Sequence, residues 1–209
     1  MKKYTLLIIP LLFLLTQCRK DNKTTFIKTS GKILEFGSNK PIKNAKVGIY
    51  EEGGEFLGST WTKLVDTTRT DAAGFYHFDK DNLDKGSSFF ISAAAEKYYT
   101  YDPNNYLVTG QEVLNNNIVL DPFAWIKVHV KNVNPFDDND RILLGNVVGP
   151  SNGAMTYIGR NIELNFINKV TGNRDMLADW VVRKNGIGIL HLDTIKITAH
   201  DTLFYEILY

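Results

Sequence analysis

Gly149-Pro150-Ser151-Asn152-Gly153 sets a serine between glycines at the spacing of a nucleophile elbow, and Asp175, Asp179, His191, Asp193 and His200 follow in an order that an acyl-transferring hydrolase could use. An elbow, however, needs a strand before the serine and a helix after it. Here Pro, Asn and Gly surround Ser151 and β-like sequence follows, so the segment reads as a turn. The histidines His77, His129, His191 and His200 are scattered, and none opens a zinc-ligand motif. Asp137-Asp138-Asn139-Asp140 offers the oxygen donors that calcium takes, which makes Asp137, Asp138 and Asp140 calcium candidates. The run lacks the glycine of the EF-hand loop, and a solvated turn is the simpler reading. No catalytic set and no cofactor is expected.

Two other stretches carry chemistry of a different kind. Tyr98, Tyr99, Tyr101 and Tyr106 lie close together and could stack against sugar rings or peptide, because tyrosine offers flat amphipathic area at low entropic cost. Packing at a sheet edge is the plainer use of such residues. Cys18 is the only cysteine of the chain, so no disulfide can staple the fold. It follows Lys2, Lys3 and the apolar run Tyr4–Leu15, which is too short to span a bilayer and reads as a targeting segment over residues 1–17. Leu15-Thr16-Gln17-Cys18 resembles a lipobox, with Gln17 departing from the usual small residue. The resemblance implies cleavage before Cys18, lipid on that residue and a membrane partner through the anchor. Arg19 follows rather than an aspartate, which favours the outer membrane.

The elements that would position these residues are strands. Hydrophobic residues make up 44% of the chain and aromatics 12%, enough to bury one large sandwich or two small ones. The net charge of +1 becomes −1 once Lys2 and Lys3 leave with the targeting segment, so nothing points to nucleic acid. Residues 18–25 read as a flexible tether. Strands are then expected at Ile27–Phe36, Ala45–Tyr50, Phe56–Thr70, the stretch after Gly74, and Ser88–Ala95, the last apolar on both faces, with Glu52-Gly53-Gly54-Glu55 as a hairpin tip. Ile118-Val119-Leu120 closes this unit and Asp121-Pro122 breaks it. Beyond it Ile126, Val128 and Val130 alternate with Lys127 and His129, and Asn185-Gly186 is a hairpin turn between Trp180–Val182 and Ile187–Leu190. Asp201–Tyr209 is a last strand, and a hairpin near His200 would pair it with the strand of His191 and Asp193.

Thr70-Asp71-Ala72-Ala73-Gly74-Phe75-Tyr76-His77-Phe78 is the most telling stretch. Asp71 can bond to backbone two residues on, Gly74 can take a positive φ, and Tyr76 and Phe78 share a face at period two. Together with Gly31-Lys32-Ile33 and Pro41–Val47 it resembles a carboxypeptidase regulatory-like domain, which implies a transthyretin-like β-sandwich without catalysis. In that family a glycine-tyrosine pair follows the strand ending in small residues, and here Lys97 stands before Tyr98 in its place. The expectation is an all-β chain: a sandwich over 26–122 and a second, small β-rich domain over 123–209. It would be a lipid-anchored binding or scaffold module of the cell envelope, with an envelope protein, peptide or glycan as partner. The alternatives are a secreted hydrolase or enzyme-accessory protein, or a surface protein that captures carbohydrate or peptide through the Tyr98–Tyr106 stretch.

Overall fold

The computed structural model describes residues 25–56, 59–83, 88–101, 106–107, 110–150 and 153–209, with backbone alone at 54–56, 59–60, 106 and 111. The expected targeting segment and Cys18 lie outside them. The chain is all-β, and no α-helix occurs among the described residues.

Its first strands are β1 (Ile27–Glu35), β2 (Lys46–Phe56), β3 (Ser59–Arg69), β4 (Phe75–Lys80), β5 (Ser88–Ala94), β6 (Tyr106–Leu107), β7 (Gln111–Val113) and β8 (Ile118–Leu120). One sheet runs β4-β1-β7, with β8 also on β1, and the other runs β3-β2-β5-β6. Alternation decides what faces inward. Val47 and Ile49 of β2, Tyr76 and Phe78 of β4, and Phe89, Ile91 and Ala93 of β5 are all buried in one cluster.

The turn before β4 forms as its residues dictate. Asp71 Oδ1 accepts from the backbone N–H of Ala73 and Phe75, each at 2.8 Å, and Gly74 has φ 73°. Buried Thr70 joins two segments, donating to the Ile42 carbonyl at 2.7 Å and accepting from the Ala45 N–H at 2.8 Å. Gly31 answers to a different need. β7 and β8 both run parallel to β1, against Ile27–Thr29 and Ile33–Glu35, and the chain between them loops past Gly31. A Cβ there would stand 2.1 Å from the Asn116 carbonyl oxygen, which instead accepts from the Tyr76 hydroxyl at 2.6 Å.

Two expectations are corrected. Glu52–Glu55 is not a hairpin tip, because β2 continues through it, Gly53 pairs with Trp61, and Phe56 pairs with Ser59. The second face of β5 is only half-buried, with Phe90 stacked on Tyr50 at 5.3 Å.

The later strands are β9 (Phe123–Lys131), β10 (Arg141–Leu144), β11 (Met155–Ile158), β12 (Glu163–Thr171), β13 (Asp175–Lys184), β14 (Ile187–Lys196) and β15 (Thr202–Leu208). A four-stranded sheet, β11-β10-β13-β14, faces a three-stranded one, β12-β9-β15. Ala124, Ile126, Val128, Val130, Ile142, Leu144, Ala178, Val182 and Ile207 fill the space between. Asn185 and Gly186, at φ 48° and 74°, make the expected turn between β13 and β14, the positive-φ pair that suits strand twist. β14 does not pair with β15. The chain crosses to the other sheet, where β15 runs parallel to β9. In each half, therefore, the opening strand lies parallel to the closing one.

Candidate functional site

Between the two cores lies a polar seam. Glu35 at the end of β1 has only 7% of its side chain exposed. Its oxygens accept from Ser38 Oγ at 2.6 Å, from the Tyr98 hydroxyl at 2.7 Å and from Asn173 Nδ2 at 3.4 Å, and His200 Nε2 lies 3.3 Å away. Burial pushes its carboxyl upward, but the donors from Ser38, Tyr98 and His200 outweigh that and hold it below the ordinary glutamate value. Asn173 also donates to the Phe36 carbonyl at 2.8 Å and accepts from the Ala199 N–H at 2.9 Å. Arg174 pairs with Asp121 at 2.9 Å and lies over the Phe36 ring. The Gly172-Asn173 turn is marked by its own residue types, but nothing local announces that Asn173 reaches across to the end of β1.

The expected tyrosine cluster is dispersed by this seam. Tyr98 meets the His200 ring edge-on at 5.0 Å, and Tyr99 meets Phe123 edge-on at 4.5 Å, beneath Lys169. Tyr101 packs against the first core, and the Tyr106 side chain lies outside the described residues. Lys97 has φ 68°, the left-handed conformation that a glycine adopts at little cost.

The calcium candidates do not converge. Asp138 pairs with Arg160 at 2.6 Å and Asp137 accepts from the Asn139 N–H, while Asp140 is fully buried and accepts from Asn132 Nδ2 and the Phe136 N–H. Among the described residues no group of three or more histidines, cysteines or carboxylates could hold a metal ion. Ser151 lies outside the described residues. His191 stacks on Trp180 at 5.2 Å, Asp193 accepts from the Tyr205 hydroxyl at 2.8 Å, and His200 belongs to the seam, so these three do not meet.

The surface that stands out is the flank formed by β14 and β15. Cross-strand register sets Ile187, Ile189 and His191 opposite Lys184, Val182 and Trp180, on the face turned toward the core. Because the facing sheet has one strand fewer, no described residue covers the two isoleucines: Ile187 is 65% exposed and Ile189 56%. On the outer face Leu190 and Leu192 are equally bare, beside Leu177. Trp180 and the Asp193–Tyr205 bond place β15 beneath β13 and β14, and among the described residues β15 pairs with β9 alone. The flank thus combines an apolar overhang with an unpaired strand edge.

No family model matches the chain, nor does any curated protein. Among solved structures it is similar to the Bacillus anthracis TIE protein, with a TM-score of 0.38 and 12% identity over 88% of this chain and 34% of that one. The chain thus spans about a third of that protein's length. It is also similar to the shaft pilin SpaA of Lactobacillus rhamnosus GG, at TM-score 0.33 and 10% identity over 88% and 96%, and to a streptococcal ancillary pilin, at 0.31 and 12% over 87% and 63%. These are loose likenesses of backbone arrangement.

Proposed function

We propose that the protein is a non-catalytic binding module of the cell envelope, tethered by lipid on Cys18, whose first half is of the carboxypeptidase regulatory-like kind. Its second half would take up an extended segment of a partner protein. The observation that carries the binding reading is the β14–β15 flank. A strand added beside β15 would match four strands against four. It would bond to the free backbone edge and set alternate apolar side chains on Ile187 and Ile189. Burying each isoleucine further is worth roughly 1–2 kcal/mol, and the backbone pairing adds register.

Panning short random peptides displayed on phage against the protein tests this. Expected binders alternate apolar and polar residues, protect β15 amides from hydrogen exchange, and lose at least about tenfold in affinity with Ile189→Lys but not with Leu64→Lys, an exposed control on β3. Binders indifferent to Ile189→Lys, or none at all, overturn the reading. Reversible dimers abolished by Ile189→Lys would make a second copy of the chain the occupant instead.

A further inference from the structure

At the end of the second sandwich away from the seam, three side chains of complementary chemistry meet. Asn132 follows β9 by one residue and continues its inward series Ala124, Ile126, Val128 and Val130. On the facing sheet Arg141 pairs with Arg183, so the next step outward sets Asp140 against Lys184, on the inward side with Ile142 and Val182. Lys184 Nζ donates to Asn132 Oδ1 at 2.9 Å and to the Asn134 carbonyl at 2.5 Å, while Asn132 Nδ2 donates to Asp140 Oδ2 at 3.0 Å. Asp140 is fully buried and Asn132 is 7% exposed. The Tyr209 ring lies 4.9 Å from the lysine nitrogen, and its buried hydroxyl has no hydrogen-bond partner among the described residues. A primary amine thus sits against a carboxamide inside the fold, with a carboxylate on the amide nitrogen that would have to leave.

We propose that Lys184 and Asn132 join in an intramolecular amide bond, with Asp140 carrying the proton between them. Asp140 accepts a proton from the Lys184 ammonium, and the neutral amine attacks Cγ of Asn132. As the tetrahedral intermediate collapses, Asp140 returns that proton to Nδ2 and the Cγ–Nδ2 bond breaks. The leaving ammonia takes the amine's second proton and departs as ammonium. One ammonium and one carboxamide become one secondary amide and one ammonium ion, so atoms and charge balance without any oxidant or cofactor. The fold supplies the step by holding the reactants in place, where the effective concentration of an oriented neighbour far exceeds anything in solution. Burial and then the Asp140 charge push the Tyr209 phenol up to about 12, so it stays neutral and the lysine and aspartate are the charges that face each other here. The product would bolt β9 to β13, one strand from each sheet.

Tryptic digestion and mass spectrometry of the folded full chain provide the test. The expected result is a branched peptide linking Lys184 to Asn132, lighter by one ammonia than its two linear parts, with no cleavage after Lys184. Lys184→Met and Asn132→Ala should each abolish it, and Asp140→Asn, which keeps both reactants, should leave linear peptides. Linear peptides alone from folded wild-type protein overturn the proposal, whatever the variants do. A branch that persists in Asp140→Asn overturns the role of Asp140.

Discussion

Phe78 is 2% exposed and packs beside Tyr76, ring centroids 6.0 Å apart, so Phe78→Ala should cost on the order of 3–5 kcal/mol in denaturant unfolding. A loss below about 1 kcal/mol would put the ring outside the core. Gly31→Ala introduces a methyl where the Asn116 carbonyl already stands, and should lower stability by about 1–3 kcal/mol as β1 and the β7–β8 loop are forced apart. Glu35 predicts behaviour in acid. Its folded value is depressed, so its contribution is present above the unfolded value near 4.3 and lost as pH falls through the folded one. The melting temperature of wild type should exceed that of Glu35→Gln near neutrality, and the gap should close below about pH 4. A gap independent of pH would show that charge on Glu35 contributes nothing at the seam.

Among the elements, the sheet β12-β9-β15 carries a clamp of opposite sign. His129 of β9 lies 2.9 Å from Glu206 of β15 and 3.3 Å from Glu163 of β12. The Glu206 hydrogen bond, opposed by burial and helped by Glu163, raises its value above the ordinary one near 6.5. The stabilisation is therefore whole below that value and lost as pH rises through the folded one. His129→Gln should be less stable than wild type near pH 5.5 and indistinguishable from it near pH 9, which melting curves at the two values will show. Strands like these were legible where the signal is local. The Asp71–Gly74 and Asn185–Gly186 turns and the alternation in β4 and β9 follow from neighbouring residues. The parallel pairing of β1 with β8 and of β9 with β15 is set by distant packing, and so is the exposure of Ile187 and Ile189, which depends on how many strands the other sheet has. Lys184 and Asn132 are 52 residues apart, a separation at which no spacing rule announces a contact.

For the whole molecule, the lipid proposed on Cys18 predicts that Cys18→Ser abolishes fatty-acid labelling and detergent partitioning while leaving the melting transition of the β-rich part unchanged. Acyl chains contribute about 0.8 kcal/mol per buried CH₂, and a net charge this low adds little electrostatic attraction to a membrane surface. Labelling that survives in Cys18→Ser would remove the anchor. The parallel pairing of opening and closing strands has a mechanical meaning as well. When two parallel neighbours are pulled from opposite ends, their hydrogen bonds are strained together in shear rather than unzipped one after another. β9 and β15 stay in register from Trp125 opposite Thr202 to Lys131 opposite Leu208, and β1 holds both β7 and β8 in the same sense. A chain held at one end by a membrane and at the other by a bound partner would meet tension along this axis. Each half should then yield in a single high-force event when stretched end to end, and at much lower force when pulled across the β13–β14 hairpin.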